Sequence, residues 1–289
     1  MPIIEPSIRP PAEAYSFLLQ VTTGCSANSC TFCGAYKGKE FRRKDYSEIY
    51  RDIDEYAAVY PDTRRVFLMD GDALVLKNEK LLPILGKLYG SFPKLTRISS
   101  YANGYNITSR SDAELKELYD NKLRLIYIGL ESGSQAILDS CNKKPTADEM
   151  VQAVLLADNA GIKSSVIVLL GLGGKNRSSE HVQATIAALN LMQPRYLSFL
   201  SLMLIPGTKM YADAVCGSFQ ELDSMELLRE SHDILQGLEM KKTLFRSNHA
   251  SNYLPLEGTL PNDKEKLLYM LKAALSGGIS LKPEYLRGL

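Results

Sequence analysis

Cys25, Cys30 and Cys33 fall within one short run, Gly24-Cys25-Ser26-Ala27-Asn28-Ser29-Cys30-Thr31-Phe32-Cys33-Gly34, directly after a strand-like segment from Tyr15 to Thr22. Thiolates gathered this closely can wrap one small inorganic centre. A structural tetrahedral zinc or a plain electron-transfer cluster takes four protein ligands, so three leave one metal position open for chemistry. A zinc knob would bring a second Cys or His pair at short spacing, yet Cys141, Cys216, His181, His232 and His249 are scattered singly. A disulfide with a spare thiol needs an oxidising compartment and usually a short secreted chain. This chain has 289 residues and five cysteines, and its first residues carry prolines and no apolar leader. The trio therefore reads as the ligand set of an iron–sulfur centre.

Six short apolar runs alternate with amphipathic helical patterns, the signature of stacked βα units and a parallel sheet. The strands are expected at Tyr15 to Thr22, Arg65 to Met69, Leu95 to Ser100, Leu125 to Gly129, Lys163 to Leu170 and Tyr196 to Leu204. Ser111 with Glu114, and Thr146 with Glu149, make capping boxes that start helices. Ile49, Ile53, Tyr56, Ala57 and Tyr60, and likewise Leu81, Leu82, Leu85, Leu88 and Tyr89, are apolar stripes at helical spacing and belong to the core. Beyond the sixth strand the pattern predicts helices at Met210 to Val215, Asp223 to Leu238 and Asp263 to Leu275, with an irregular stretch from Met240 to Asn262. The expected fold is α/β, a partial (βα)6 TIM-like barrel over residues 1–216 with a short helical C-terminal extension over 217–289. His181 and His232 are expected at the surface, Cys141 and Cys216 as small buried residues.

In a βα barrel the loops that follow the strands converge on one face and build the site. After the first strand come the cysteines; then Asp70-Gly71-Asp72, Ser99-Ser100-Tyr101-Ala102-Asn103, Glu131-Ser132-Gly133-Ser134, Gly171-Leu172-Gly173-Gly174 and Pro206-Gly207-Thr208. Each alone is ordinary turn chemistry, but together they line one rim. Gly171-Leu172-Gly173-Gly174-Lys175 is not a phosphate loop, because Leu169 and Asn176 stand where Gly and Ser or Thr are required.

Together, the clustered cysteines with Phe32 before the last one, the Asp70-Gly71-Asp72 turn, Glu131-Ser132-Gly133-Ser134 and Ile205-Pro206-Gly207-Thr208 resemble the radical S-adenosylmethionine (SAM) superfamily over roughly Tyr15 to Val215. The cysteine loop carries one residue more than the usual spacing, Asp-Gly-Asp replaces the usual Gly-Gly-Glu, and Lys175 stands where an acid is common. The resemblance implies that Cys25, Cys30 and Cys33 bind a [4Fe-4S] cluster whose fourth iron is chelated by SAM. It further implies that Phe32 offers backbone contact near adenine, that Asp70, Gly71 and Asp72 receive the methionine ammonium through backbone carbonyls with carboxylate help, and that Ser99, Glu131 and Ser132 reach the ribose or methionine part. Val168, Gly171 and Leu204 would flank adenine. One electron from the reduced cluster would then cleave the sulfonium to give a 5′-deoxyadenosyl radical.

Tyr36 and His249 are the expected catalytic side chains, with Arg246, Asn248, Asn252 and Tyr253 on the substrate, because Phe245 to Tyr253 is denser in donors and acceptors than a plain connection requires. With 34 basic and 33 acidic residues and no charged block, the chain has no electrostatic footprint for long nucleic acid or an anionic membrane. Its longest apolar run, Val166 to Leu172, is strand-sized. A cytoplasmic enzyme of a small molecule, reduced by a flavodoxin or ferredoxin-type donor, is the expectation. Within the superfamily the barrel is similar to the group holding coproporphyrinogen oxidases and RNA-modifying methylthiotransferases, while size and layout are similar to queuine lyases of base salvage. The alternative class is a non-enzymatic metal-binding module.

Overall fold

The computed structural model describes residues 3–288. In chain order its elements begin with β1 (Phe17–Leu19), β2 (Thr22–Thr23), β3 (Arg42–Arg43), α1 (Tyr46–Val59), β4 (Arg65–Leu68), α2 (Asn78–Ser91), β5 (Arg97–Tyr101), α3 (Gly104–Thr108), α4 (Asp112–Asp120) and β6 (Leu123–Glu131). They continue with α5 (Gln135–Ser140), α6 (Ala147–Asn159), β7 (Lys163–Leu170), α7 (Gly174–Met192), β8 (Tyr196–Ser201), α8 (Lys209–Val215), α9 (Ser224–Gly237), β9 (Thr243–Arg246), β10 (Glu257–Leu260) and α10 (Lys264–Leu275). The chain divides into two compact units, one of Met1–Asn28, Ala35–Ile128 and Gln152–Ser164, the other of Ser29–Gly34, Gly129–Val151 and Ser165–Leu289.

In the first unit β1, β4, β5 and β6 pair in parallel, in registers that include Phe17↔Val66, Val66↔Ile98 and Ser99↔Leu125. Val66, Phe67 and Leu68 are all fully buried although neighbours on a strand point to opposite faces, so both faces of β4 are covered. Helix α1 starts in a capping box between Asp45 and Glu48 and buries Ile49 and Ile53. Tyr56 stacks on Phe17 at 3.9 Å between ring centroids, whereas Tyr60 and Tyr89, at the ends of the two apolar stripes, are exposed. The Ser111–Glu114 capping box starts α4 as expected.

In the second unit β7, β8 and β9 pair in parallel and β10 returns antiparallel to β9. The stretch expected to be irregular, Met240 to Asn262, thus contributes two strands to the sheet. Thr243 and Phe245 are buried and Leu244 half-buried, a period-two pattern too short to read beside the polar run that follows. The expected boundary at 216/217 falls inside this unit, between β8 and β9, which pair directly. His181 is not at the surface: it lies within α7 and is fully buried. Cys216, expected buried, is exposed after α8, while Cys141 is buried. Among the described residues no helix is long and apolar enough to cross a membrane.

Candidate active site

The first unit holds Cys25 against the turn that follows β4. Gly71 donates its N–H to the Gly24 carbonyl at 3.0 Å, and Gly24 donates its own to Asp70 Oδ2 at 2.8 Å. A Cβ on Gly71 would lie 2.6 Å from the Cys25 Cβ and 2.8 Å from its Sγ, so only glycine lets the thiol rest there. Asp70 adopts a φ of 65°, uncommon outside glycine. Its buried carboxylate meets Lys39 at 2.8 Å and receives the Gln20 amide at 3.3 Å. Asp72, also buried, accepts from Ser26 and Asn106, and burial pushes its carboxyl up while those bonds pull it down. Both carboxylates are therefore engaged within the protein, and the Asp72 carbonyl accepts the Val75 N–H at 3.4 Å. Tyr36 is buried, with its carbonyl accepting from Asn28 at 2.8 Å and Lys39 lying 5.6 Å from its ring centroid. Ser99 is buried and its hydroxyl bonds the Val66 carbonyl at 3.3 Å.

The second unit holds Cys30 and Cys33. Thr31 donates its N–H to the Cys141 carbonyl at 2.9 Å and accepts from Met210 N–H at 3.1 Å, and Phe32 packs on the cluster of Ile137, Cys141, Leu172, Leu202 and Met210. Cys33 N–H reaches the Cys30 carbonyl at 3.3 Å, and a Cβ on Gly34 would come 2.7 Å from Ile205. Buried Cys141 thus contributes its carbonyl, not its sulfur, to the loop. None of the five cysteines is in a disulfide, and the trio is partly exposed. Among the described residues no three His, Cys, Asp or Glu side chains are grouped as a metal-ligand set. The donors nonetheless suit an iron–sulfur centre: soft thiols on a loop tied at both ends, with a side-chain-free glycine beneath Cys25.

At the end of β6, Glu131 has a φ of 61° and pairs with Lys143 at 3.2 Å. Ser132 is buried; its hydroxyl accepts the Ser134 N–H at 3.1 Å and lies 2.8 Å from His181 Nδ1. Ser134 caps α5, and the Gly133 N–H goes to Thr185 at 3.0 Å. At the end of β7, beyond buried Val168, Gly171 turns at a φ of 83° and gives its N–H to Glu230 at 2.5 Å. Leu204 is partly buried against the same cluster as Phe32. Sequence reading missed Ser26, Asn106, Glu230 and the buried role of His181. No spacing rule reaches such partners, because Asn106 and Asp72, or Glu230 and Gly171, meet only in space.

The Phe245 to Tyr253 segment divides by role. Asn252 is buried, donating to the Phe199 carbonyl at 2.7 Å and to Ser247 at 3.0 Å while accepting from Ser201 at 2.9 Å, so it straps the loop to β8. The Tyr253 hydroxyl meets Glu284 and accepts from Arg287 at 2.7 Å. Arg246 is exposed, 6.0 Å from the Tyr196 ring centroid, and Asn248 is exposed, 3.3 Å from Glu257. His249 is half-buried. Its Nδ1 accepts the Ser251 N–H at 3.1 Å, which leaves its proton on Nε2, and burial first, then Lys282, lowers its pKa.

Residues 19–187 match the profile of the Radical SAM superfamily, a span that runs from the cysteine loop through the Gly171 turn. The chain belongs to the radical SAM superfamily, whose members are enzymes with a [4Fe-4S] cluster and SAM as cofactors. It is 24% identical over 203 residues to an uncharacterized methyltransferase, PH0819, of Pyrococcus horikoshii, covering 70% of this chain and 42% of that protein. Its fold resembles methylornithine synthase (PylB), with a TM-score of 0.55, 14% identity and coverage of 77% and 61% of the two chains. It also resembles the radical SAM methyltransferase TsrM of Kitasatospora setae, at 0.57, 17% identity and 72% and 41% coverage. The chain thus spans less than two thirds of these proteins, and the structural likenesses show the fold: the partial TIM-like barrel expected from the βα alternation.

Proposed function

We propose that Cys25, Cys30 and Cys33 hold the [4Fe-4S] cluster and that SAM is received by Phe32, the Asp70-Gly71-Asp72 turn, Ser99, Glu131, Ser132, Val168, Gly171 and Leu204. The observation that carries this reading is the superfamily match across residues 19–187, which contain all of these positions except Leu204. When bound, the cluster supplies the electron that splits the sulfonium of SAM into methionine and a 5′-deoxyadenosyl radical. The protein's share is placement. Asp70 holds the Gly24 amide and Asp72 holds Ser26, so the loop bearing Cys25 keeps a fixed offset from the turn whose carbonyls receive the methionine ammonium. Phe32 and its apolar neighbours keep water from the adenine side.

The substrate is a small, nucleobase-like molecule that gives up a hydrogen atom, met by His249 through its Nε2–H and by Arg246, Asn248 and Tyr253; Asn252 sets the loop's height on β8. Tyr36, buried beside the cysteine loop, acts by supporting it through Asn28. A lyase step of the kind used in queuine salvage fits the chain's size and layout, in the cytoplasm and with a flavodoxin or ferredoxin-type reductant. A second reading, methyl transfer, is favoured by the names of PH0819 and TsrM. Anaerobic reconstitution with iron, sulfide and SAM separates the two: 5′-deoxyadenosine as the coproduct supports hydrogen abstraction, and S-adenosylhomocysteine formed with a methylated product supports methyl transfer. A colourless zinc protein that leaves SAM intact would refute both.

A further inference from the structure

Lys39 follows the cysteine loop, and its side chain is only 6% exposed. Its three ammonium hydrogens have three acceptors in the first unit: the Ile4 carbonyl at 2.6 Å, the Pro6 carbonyl at 2.6 Å and Asp70 Oδ2 at 2.8 Å. The segment that supplies the two carbonyls is also gripped by Gln20, the residue after β1. The Gln20 amide oxygen accepts the Ile4 N–H at 2.9 Å, and its amide nitrogen donates to the Ile4 carbonyl at 3.0 Å. The same nitrogen lies 3.3 Å from both Asp70 oxygens. Ile4, Gln20, Asp70 and Lys39 therefore close a ring of hydrogen bonds around one buried ion pair.

The ring reaches Cys25 through Gly24. Asp70 Oδ2, besides meeting Lys39, accepts the Gly24 N–H at 2.8 Å. Gly24 turns at a φ of 75°, and a Cβ on it would come 3.1 Å from the Glu40 carbonyl oxygen and 3.3 Å from that of Lys39. The Lys39 backbone thus lies against Gly24, while its side chain crosses to the carboxylate that Gly24 is bonded to. At a φ of 65° Asp70 occupies a conformation that glycine adopts freely, and glycine is what the usual Gly-Gly-Glu motif has there. An aspartate at this point adds both strain and a buried charge, and a buried charge without a partner is costly. Lys39 is that partner.

We propose that Lys39 is a positioning residue of the cluster site. By pairing with Asp70 and anchoring the segment of Ile4 and Pro6, it fixes the Gly24 amide and with it Cys25, and it cancels the carboxylate charge that would otherwise lie beside that ligand. The inference rests on the reading that Cys25 binds the cluster. Its geometric and electrostatic parts are separable. The geometry needs an acceptor at Asp70, which an asparagine oxygen retains. The electrostatics need the pair: without the lysine an unpaired carboxylate disfavours an electron entering the cluster, and without the acid an unpaired ammonium favours it. A side chain that only supported the fold would not give opposite signs.

Amide hydrogen exchange on the full chain without cofactors reads the geometry. The Gly24 and Ile4 amides should be protected in the wild type and exchange about tenfold faster or more in Lys39→Met, because the bonds loosened involve a charged group. The double variant Lys39→Met/Asp70→Asn, which holds no unpaired charge, should fold and exchange more slowly than Lys39→Met. On protein reconstituted with iron and sulfide, without SAM, the cluster's reduction potential should fall in Lys39→Met, rise in Asp70→Asn and return close to the wild-type value in the double variant. Where Lys39→Met does not fold, the comparison of Asp70→Asn with the double variant carries the test, since adding Met at position 39 must bring the raised potential back down. Gly24 exchange unchanged by Lys39→Met, or potentials that stay fixed or move in one direction in all variants, would overturn the proposal. If Cys25→Ala retains about four irons per chain, the ligand reading of Cys25 fails and the cluster role of Lys39 falls with it, whatever the exchange shows.

Discussion

Gly71→Ala puts a methyl group where Cys25 already is. The new Cβ would be 2.6 Å from the Cys25 Cβ, 2.8 Å from Sγ and 3.1 Å from Cα. Carbon atoms rest at about 3.5–4 Å, so roughly 1 Å of separation must be found. The cysteine cannot simply withdraw, because its neighbour Gly24 is bonded in both directions, by its N–H to Asp70 and by its carbonyl to Gly71. Overpacking of this kind costs about 1–3 kcal/mol. With roughly 2–4 °C lost per kcal/mol for a chain of this size class, Tm should drop by about 2 to 12 °C. The chemical cost is larger, since a cluster ligand displaced by about 1 Å spoils a geometry on which rate depends on the order of a hundredfold. Anaerobic reconstitution should leave the variant well below about four irons per chain, with SAM cleavage reduced in proportion. Gly86→Ala is the control: it lies within α2 and its Cβ would meet nothing within 4 Å, so it should retain iron and gain about 0.4–1 kcal/mol. A Gly71→Ala protein with wild-type Tm, iron and SAM cleavage would refute the packing argument and the placement of Cys25 together.

Alanine at Cys25, Cys30 or Cys33 should abolish SAM cleavage, whereas Cys216→Ala, at an exposed thiol, should leave iron content unchanged, and iron loss in it would contradict the ligand assignment. Asn252→Ala strips partners from the Ser201 hydroxyl and the Phe199 carbonyl and should cost about 1–3 kcal/mol in denaturant unfolding. His249→Ala should fold normally, still form 5′-deoxyadenosine with a strong reductant, and lose turnover of the true substrate; wild-type turnover would remove His249 from the site. Because Glu230 is raised from 4.5 to about 7 by burial, the folded state holds a proton the unfolded chain releases. Glu230 by itself should therefore lose roughly 3 kcal/mol of stabilisation as pH rises from about 4.5 to about 7. His181, lowered by burial from 6.5 to about 4, acts in the opposite sense over about pH 4 to 6.5, so the fall should appear in the difference between the wild-type and Glu230→Gln profiles.

Most strands and caps were legible because each is written in adjacent residues, although the segment expected as one strand from Tyr15 to Thr22 divides into β1 and a separate β2 that pairs with β3. Lys163 to Leu170 was bounded to the residue, and the Thr146–Glu149 box closes with bonds of 2.7 and 3.1 Å. Helices α8, α9 and α10 end within one or two residues of their expected limits. Strands β9 and β10 were hidden because four residues carry too little periodicity, and because β9 is paired by β8, more than forty positions away in the chain, with β10 then pairing on β9.

For the site, the sequence by itself determined the ligand chemistry. Three thiols in one loop and a set of turn residues after successive strands are local facts, and they sufficed to identify the superfamily. What those residues touch was decided by the tertiary structure alone. Asp70 and Asp72 read as members of a turn that receives an ammonium through backbone carbonyls with carboxylate help, and folding brings Gln20, Gly24, Ser26, Lys39 and Asn106 to those carboxylates. His181 read as a surface residue at a helix start, yet the packing of α7 buries it between Ser132 and Glu230. The physical reason is the same in each case. A side chain's type states which bonds it can make, and a local pattern shows which apolar residues are buried, but the partners of a buried polar group are whatever the fold brings beside it.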